Sequence, residues 1–206
     1  MDPATQKAAL RAEMKTRRDE LSARDPDAGE TLAGAFPMKL LERYGPVVAG
    51  YMAIGSEIDA TPLMEKLANA GAQLCLPRLD DTGDTMTYRF WTPGDPLDPG
   101  PLGLREPPVS ALEASPTLIL TPLLAFDGQG ARLGYGQGHY DRAISTLRKD
   151  GRAFTCALAF QGQMIDAVPT EPHDQPLDWA VTEAGSVPLF MMRGLAGAAP
   201  TPPASA

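Results

Sequence analysis

Cysteine and histidine are scarce in this chain, and long apolar runs are missing. The 206 residues include two cysteines and two histidines. Cys75 and Cys156 each sit in a short apolar run, Gln73-Leu74-Cys75-Leu76 and Phe154-Thr155-Cys156-Ala157-Leu158. A thiol there packs as a small hydrophobe, so both are read as buried and reduced, and a disulfide framework is excluded. His139 and His173 stand without Cys/His clusters, which excludes a zinc site of ordinary spacing. No Ser-His-Asp arrangement can be recognised. No run approaches the roughly 18 apolar residues of a membrane span, and Met1-Asp2-Pro3-Ala4-Thr5-Gln6-Lys7 lacks the apolar core of a secretory signal. The cytoplasm is the expected setting, with no membrane partner. Basic charge is in deficit, 18 Lys+Arg against 26 Asp+Glu, for a net charge of −8. That argues against a general nucleic-acid binder, because phosphate backbones favour basic domains. It leaves room for a small anion in a locally basic pocket. The remainder is ordinary: 43% hydrophobic and 21% charged residues suit a globular chain long enough to bury its own core.

Periodicity orders the chain. Leu10, Met14, Arg17 and Leu21 recur at helical spacing, so Ala4 to about Ala23 reads as a helix with Lys7, Arg11, Lys15 and Arg18 as a basic stripe beside the apolar one. A second helix is expected over 27–44, kinked or split by Pro37. Val47 to Met52 is a buried strand. Thr61-Pro62 has the form of an N-cap followed by proline, and opens a helix that Gly71 stops. Gln73 to Pro77 is a second strand. Strand, helix and strand within about 30 residues make a βαβ unit and imply a parallel sheet. Met86 to Trp91 reads as an edge strand. Thr92 to Pro108, with six prolines and three glycines, is a long stiff loop. Thr117 to Ala125 is a buried strand, Tyr140 to Lys149 a helix, and Phe154 to Phe160 and Trp179 to Thr182 are further strands. Residues 194–206, small and uncharged, are expected to be a disordered tail behind one domain spanning 1–193.

Between a buried strand and a helix start, Gly134, Gly136 and Gly138 alternate. Without a Cβ, such backbone adopts positive φ and brings its N–H groups close to a ligand, and the helix N-terminus adds unpaired donors. Both features suit phosphate oxygens. The pattern is neither a Walker loop, lacking Gly-Lys-Ser/Thr, nor a dinucleotide fingerprint, since His139 stands where a third spaced glycine would be. A tight strand-to-helix turn would carry the same glycines.

Arg132-Leu133-Gly134-Tyr135-Gly136-Gln137-Gly138-His139-Tyr140-Asp141 closely resembles the signature of the 5-formyltetrahydrofolate cyclo-ligases, Arg-Leu-Gly-x-Gly-x-Gly-Tyr-Tyr-Asp, with His139 in place of a tyrosine. Lys7-Ala8-Ala9-Leu10-Arg11, Tyr51-Met52, Glu57-Ile58-Asp59, Leu76-Pro77, Leu104-Arg105-Glu106-Pro107 and His173-Asp174 also follow the family's order. The resemblance implies a three-layer α/β/α domain with a mostly parallel, Rossmann-like sheet. It implies ATP- and Mg²⁺-dependent closure of 5-formyltetrahydrofolate to 5,10-methenyltetrahydrofolate by a monomer. Lys7 and Arg11, one helical turn apart, and the segment Arg132, Leu133, Gly134, Tyr135, Gly136, Gln137, Gly138, His139 and Tyr140 are then expected to hold ATP. Met52 and Glu57, with residues 135–139, are expected to hold the folate, Glu57 by accepting the donors of the pterin edge. Asp141 and Asp174 are the expected Mg²⁺ ligands, and Arg132 and Asp141 the catalytic pair. Plainer roles stand beside these. Lys7 and Arg11 could be a solvated basic face, Arg132 a surface charge, Asp141 a helix cap, Glu57 a loop carboxylate and Met52 core. A non-catalytic folate- or nucleotide-binding relative, or another small-molecule phosphotransferase, would also keep the loop.

Overall fold

The computed structural model describes residues 3–80, 82–151 and 153–189. The segment 194–206, expected to be a disordered tail, lies outside them. Helix α1 spans Pro3–Arg24. Its buried face carries Lys7, Met14 and Arg18, while Arg17 is exposed. The apolar and basic stripes therefore share one face, and Arg18, not Arg17, turns inward. Pro37 splits the next helix into α2 (Ala28–Ala35) and α3 (Lys39–Tyr44).

Strand β1 keeps only Val47–Ala49. Gly50 still donates to the Cys75 carbonyl at 2.9 Å, but Tyr51 and Met52 lie beyond the strand, and Tyr51 donates its hydroxyl to the Ile58 carbonyl at 2.9 Å, shaping the loop that follows. Helix α4 runs Thr61–Asn69, and its first N–H is accepted by Asp59 Oδ1 at 2.9 Å, so Asp59 rather than Thr61 satisfies that end. Strand β2 (Gln73–Leu79) returns parallel to β1, completing the βαβ unit. Strand β3 (Met86–Phe90) is antiparallel to β2.

The proline-rich stretch is not featureless: β4 (Asp98–Pro99) and β5 (Arg105–Glu106) pair within it. Buried Glu106 accepts the Leu79 N–H at 3.1 Å, which fastens this stretch to the end of β2. A two-residue strand β6 (Glu113–Ala114) pairs outside β3, so β3 is not the sheet's edge. The apolar run 117–125 divides at Pro122, which has no N–H for a ladder, into β7 (Leu118–Thr121) and β8 (Ala125–Phe126). β8 forms a hairpin with β9 (Arg132–Leu133). The glycine loop thus follows a short hairpin strand and not a central one, and leads into α5 (His139–Asp150). Strands β10 (Phe154–Leu158), β11 (Trp179–Thr182) and β12 (Gly185–Pro188) follow.

The main sheet has the order β12-β11-β10-β7-β1-β2-β3-β6. From β11 through β2 the neighbours are parallel, and antiparallel strands flank both sides. Strand alternation separates two faces. Val48, Leu74, Leu76, Leu118, Leu120 and Leu158 pack with Leu32, Leu40, Leu63, Met64 and Leu67 of α2, α3 and α4, and with Phe36 just after α2. Ala49, Cys75 and Ile119 face Ala143 and Ile144 of α5. The result is the expected helix–sheet–helix layering. A buried leucine contributes about 1.5–3 kcal/mol, so this burial outweighs any single cap or propensity. Helix α1 packs mainly beside these layers: Met14 meets Leu124, Ala125, Leu133 and Val168, in the segments after β7, while Leu21 reaches the main core. Both cysteines are free and buried, and burial pushes the Cys75 thiol up to about 12. Among the described residues no helix is long and apolar enough to cross a membrane.

Candidate active site

One cavity of about 1150 Å³ collects α1, the loop after β1, the glycine loop with the start of α5, and the segment 171–175. Lys7, Arg11, Met52, Glu57, the run from Arg132 to Asp141, and Asp174 all line it. Segments distant in sequence therefore meet at one place. Leu104, Arg105 and Glu106 add a wall from the proline-rich stretch.

At one end, cations and carboxylates interlock. Lys7 is 5% exposed, and its Nζ lies 2.7 Å from both Glu171 Oε2 and Asp174 Oδ2. Burial alone would lower the Lys7 pKa, but the hydrogen bonds to Asp174 and Glu171 raise it above the ordinary lysine value. Burial likewise works against the Asp174 carboxylate, yet Lys7 and the Glu171 N–H, donating at 2.8 Å, hold its pKa below the usual range. Lys7 is thus not a solvated face. Arg11 Nε donates to the Gly134 carbonyl at 3.0 Å and so grips the glycine loop.

Arg132 is buried. Its Nη2 meets Asp141 Oδ1 at 2.7 Å and its Nη1 donates to the Gln175 carbonyl at 2.7 Å. Burial lowers the Arg132 pKa, against the opposing charge of Asp141. Asp141 Oδ1 also accepts the Gln175 N–H at 2.8 Å, so this carboxylate ties α5 to the segment after Asp174 and does not cap its own helix. Gly138, at φ +68°, is the left-handed residue from which α5 starts. His139 Nε2 lies 2.8 Å from the Gly83 carbonyl, and Arg142 bridges the Gln137 and Asp84 carbonyls. The glycine loop is thereby docked on the turn between β2 and β3.

At the other end Glu57 is 8% exposed. Its Oε2 accepts the Ile54 N–H at 2.9 Å, its Oε1 accepts the Tyr135 hydroxyl, and Arg18 Nη1 lies 3.7 Å from Oε1. Burial raises the Glu57 pKa, partly offset by Tyr135, the Ile54 N–H and Arg18. Arg18 also donates to Ser56 Oγ at 3.0 Å, contacts the Tyr135 hydroxyl, and stacks 5.4 Å from that ring's centroid. Met52 lines the cavity while packing on the core behind it.

Two carboxylates of the kind a hard divalent cation takes, with one imidazole beside them, lie at the cationic end. Donor atoms of Glu171, His173 and Asp174 fall within 4.8 Å of one another, with the Lys7 ammonium against two of them. Asp141 lines the same cavity outside that group. Glu171, Gln175 and Arg18 were not singled out from the sequence. Only Arg18 left a trace there, as the residue seven positions after Arg11 on the same helical face.

The 5-formyltetrahydrofolate cyclo-ligase family model matches residues 3–183. A 5-formyltetrahydrofolate cyclo-ligase of Mycolicibacterium smegmatis is 32% identical over 190 residues, covering 88% of this chain and 95% of the relative. The Escherichia coli enzyme of that name is 31% identical over 149 residues, covering 68% and 81%. Among solved structures, the 5,10-methenyltetrahydrofolate synthetase of Aquifex aeolicus superposes with a TM-score of 0.70 at 27% identity, over 89% of this chain and 92% of that one. The match from the first helix through the strand after Asp174, glycine loop included, makes this chain a member of the 5-formyltetrahydrofolate cyclo-ligase family, a family of ligases.

Proposed function

We propose that the chain closes 5-formyltetrahydrofolate to 5,10-methenyltetrahydrofolate at the expense of ATP and with Mg²⁺. The observation that carries this reading is the single cavity in which a glycine loop, buried cations and a buried acceptor carboxylate face one another. A formamide oxygen is a poor leaving group. Transfer of the γ-phosphoryl group from ATP to that oxygen gives an imino-phosphate and ADP. Nitrogen ten then attacks the activated carbon and gives up its proton to the phosphate or to water, the C–O bond breaks, and phosphate leaves. Such transfers need positioning and charge neutralisation more than proton movement.

The residues divide accordingly. Lys7, Arg11 and the backbone from Arg132 to Tyr140 hold the triphosphate. Arg132, fixed by Asp141, presents a cation beside the transferring group. Glu57 accepts the two donors of the pterin edge, and Met52 packs against the ring. Asp141 and Asp174 would hold Mg²⁺, whose chemistry is to neutralise charge on the phosphate oxygens. All these groups come from one chain, and a cytoplasmic monomer is the proposed working unit.

The test is direct. Purified protein with 5-formyltetrahydrofolate, ATP and Mg²⁺ should generate the near-ultraviolet absorbance of the methenyl product, with one ADP released per product. Folate uptake without ADP release would identify a binding protein and reject the reaction.

A further inference from the structure

We infer that Tyr135 is an internal competitor for the pterin seat: its hydroxyl occupies the Glu57 carboxylate until substrate displaces it, and so sets folate affinity. The inference rests on the reading of Glu57 as the pterin acceptor. Glu57 has two oxygens, and both are engaged in this structure, Oε2 by the Ile54 N–H at 2.9 Å and Oε1 by Tyr135. The Ile54 bond belongs to the loop's own turn, three residues away. The Tyr135 bond is different, because it reaches across 78 residues from the glycine loop. Each carboxylate oxygen can accept two bonds, so Oε2 keeps room beside the Ile54 N–H, whereas Oε1 is crowded by both the Tyr135 hydroxyl and Arg18 Nη1 at 3.7 Å, and Tyr135 is the group there that can leave.

Tyr135 is built to leave. It is 47% exposed, whereas Glu57 and Arg18 beside it are buried. Its backbone neighbour Gly136 has φ +98°. Its ring rests on the Arg18 guanidinium, a contact that survives rotation better than a packed core contact would. Arg18 has anchors other than the phenol, Ser56 Oγ at 3.0 Å and Glu57 Oε1 at 3.7 Å. Displacement therefore costs a hydrogen bond to a buried carboxylate and one from Arg18, which keeps its bond to Ser56 Oγ. Bonds of that class, lost on binding, weaken affinity by about tenfold or more. The same cost falls on every ligand that uses this edge.

The experiment is a binding cycle by isothermal titration, without nucleotide, using 5-formyltetrahydrofolate and tetrahydrofolate as probes. Tyr135→Phe keeps the ring and removes the donor. It should tighten both ligands by a similar factor, about tenfold, because both carry the same pterin edge. Glu57→Gln should weaken both by tenfold or more. In the Glu57→Gln background Tyr135→Phe should have little further effect, which a merely structural role for Tyr135 would not give. If Glu57→Gln leaves folate affinity unchanged, the seat has been misassigned and the competitor falls with it. If Glu57→Gln weakens binding while Tyr135→Phe weakens it or changes nothing, the seat stands and the competitor is overturned, with Tyr135 acting as a substrate contact or a bystander.

Discussion

Burial pushes the Glu57 carboxyl above the ordinary glutamate range, and Tyr135, the Ile54 N–H and Arg18 recover only part of the shift. A pterin edge made of donors needs the ionised acid. Folate affinity should therefore fall on acidification with a midpoint above the roughly 4.3 of a free glutamate. Glu57→Gln should remove that acid limb, measured as dissociation constant against pH. The stability sign runs the other way. A group whose folded value is raised contributes most below its unfolded value, and that contribution disappears as pH rises through the folded value. The ionised form of Glu57 is thus a burden on the fold. Glu57→Gln lifts that burden but leaves buried Arg18 without its counter-charge, so it should still destabilise the fold in urea denaturation, by up to about 3–5 kcal/mol. Single residues of this kind were the least legible in the sequence. Glu57 and Lys7 could be named as acid and cation, but their contacts with Tyr135 and Asp174 join segments that local periodicity does not connect.

At the scale of elements, the glycine loop separates what the backbone demands from what a ligand demands. Gly136 has φ +98°, and a methyl built there would lie 3.2 Å from Arg11 Cζ. Gly136→Ala should lower stability by about 1–3 kcal/mol through backbone strain, with the crowding of Arg11 added to it. A methyl on Gly134 meets nothing within 4 Å, although the residue lines the cavity. Gly134→Ala should leave the melting temperature within a few degrees of the parent and still raise the ATP requirement severalfold, because the new methyl stands where phosphate would approach. Equal ATP dependence in parent and variant would remove this stretch of backbone from the nucleotide site. Elements themselves were read well where a pattern was long or punctuated. The first helix, its successor's division at Pro37 and the parallel pair β1–β2 all formed. Short strands were lost. β6 and β12 are two and four residues long and half-exposed, and tertiary pairing rather than composition makes them strands.

For the whole molecule, one helix outside the two layers completes the site. α1 carries Lys7, Arg11 and Arg18 to the cavity, and Met14 is the fully buried anchor on the same face. Met14→Ala should cost about 2–5 kcal/mol and free α1 before the sheet melts. Hydrogen exchange would show this as faster exchange over residues 7–21 with the strands still protected, and uniform loss of protection would contradict it. The layered architecture was legible because strands and helices alternate along the chain. The cavity was legible only as a set of family-like positions, since nothing in composition says that residues 7, 57, 135 and 174 meet.

Lys7 meets its carboxylate partners 164 and 167 residues further along. On the ribosome, where the chain grows from its amino end, that lysine emerges long before either carboxylate. Until they arrive Lys7 lacks both of its acids, so nascent chains halted before residue 171 should hold α1 through Met14 and Arg18, with β11 and β12 still to join the sheet and the helical turn around residue 7 still loose. Assembly of the reactive cleft is then the closing event of synthesis rather than an early one.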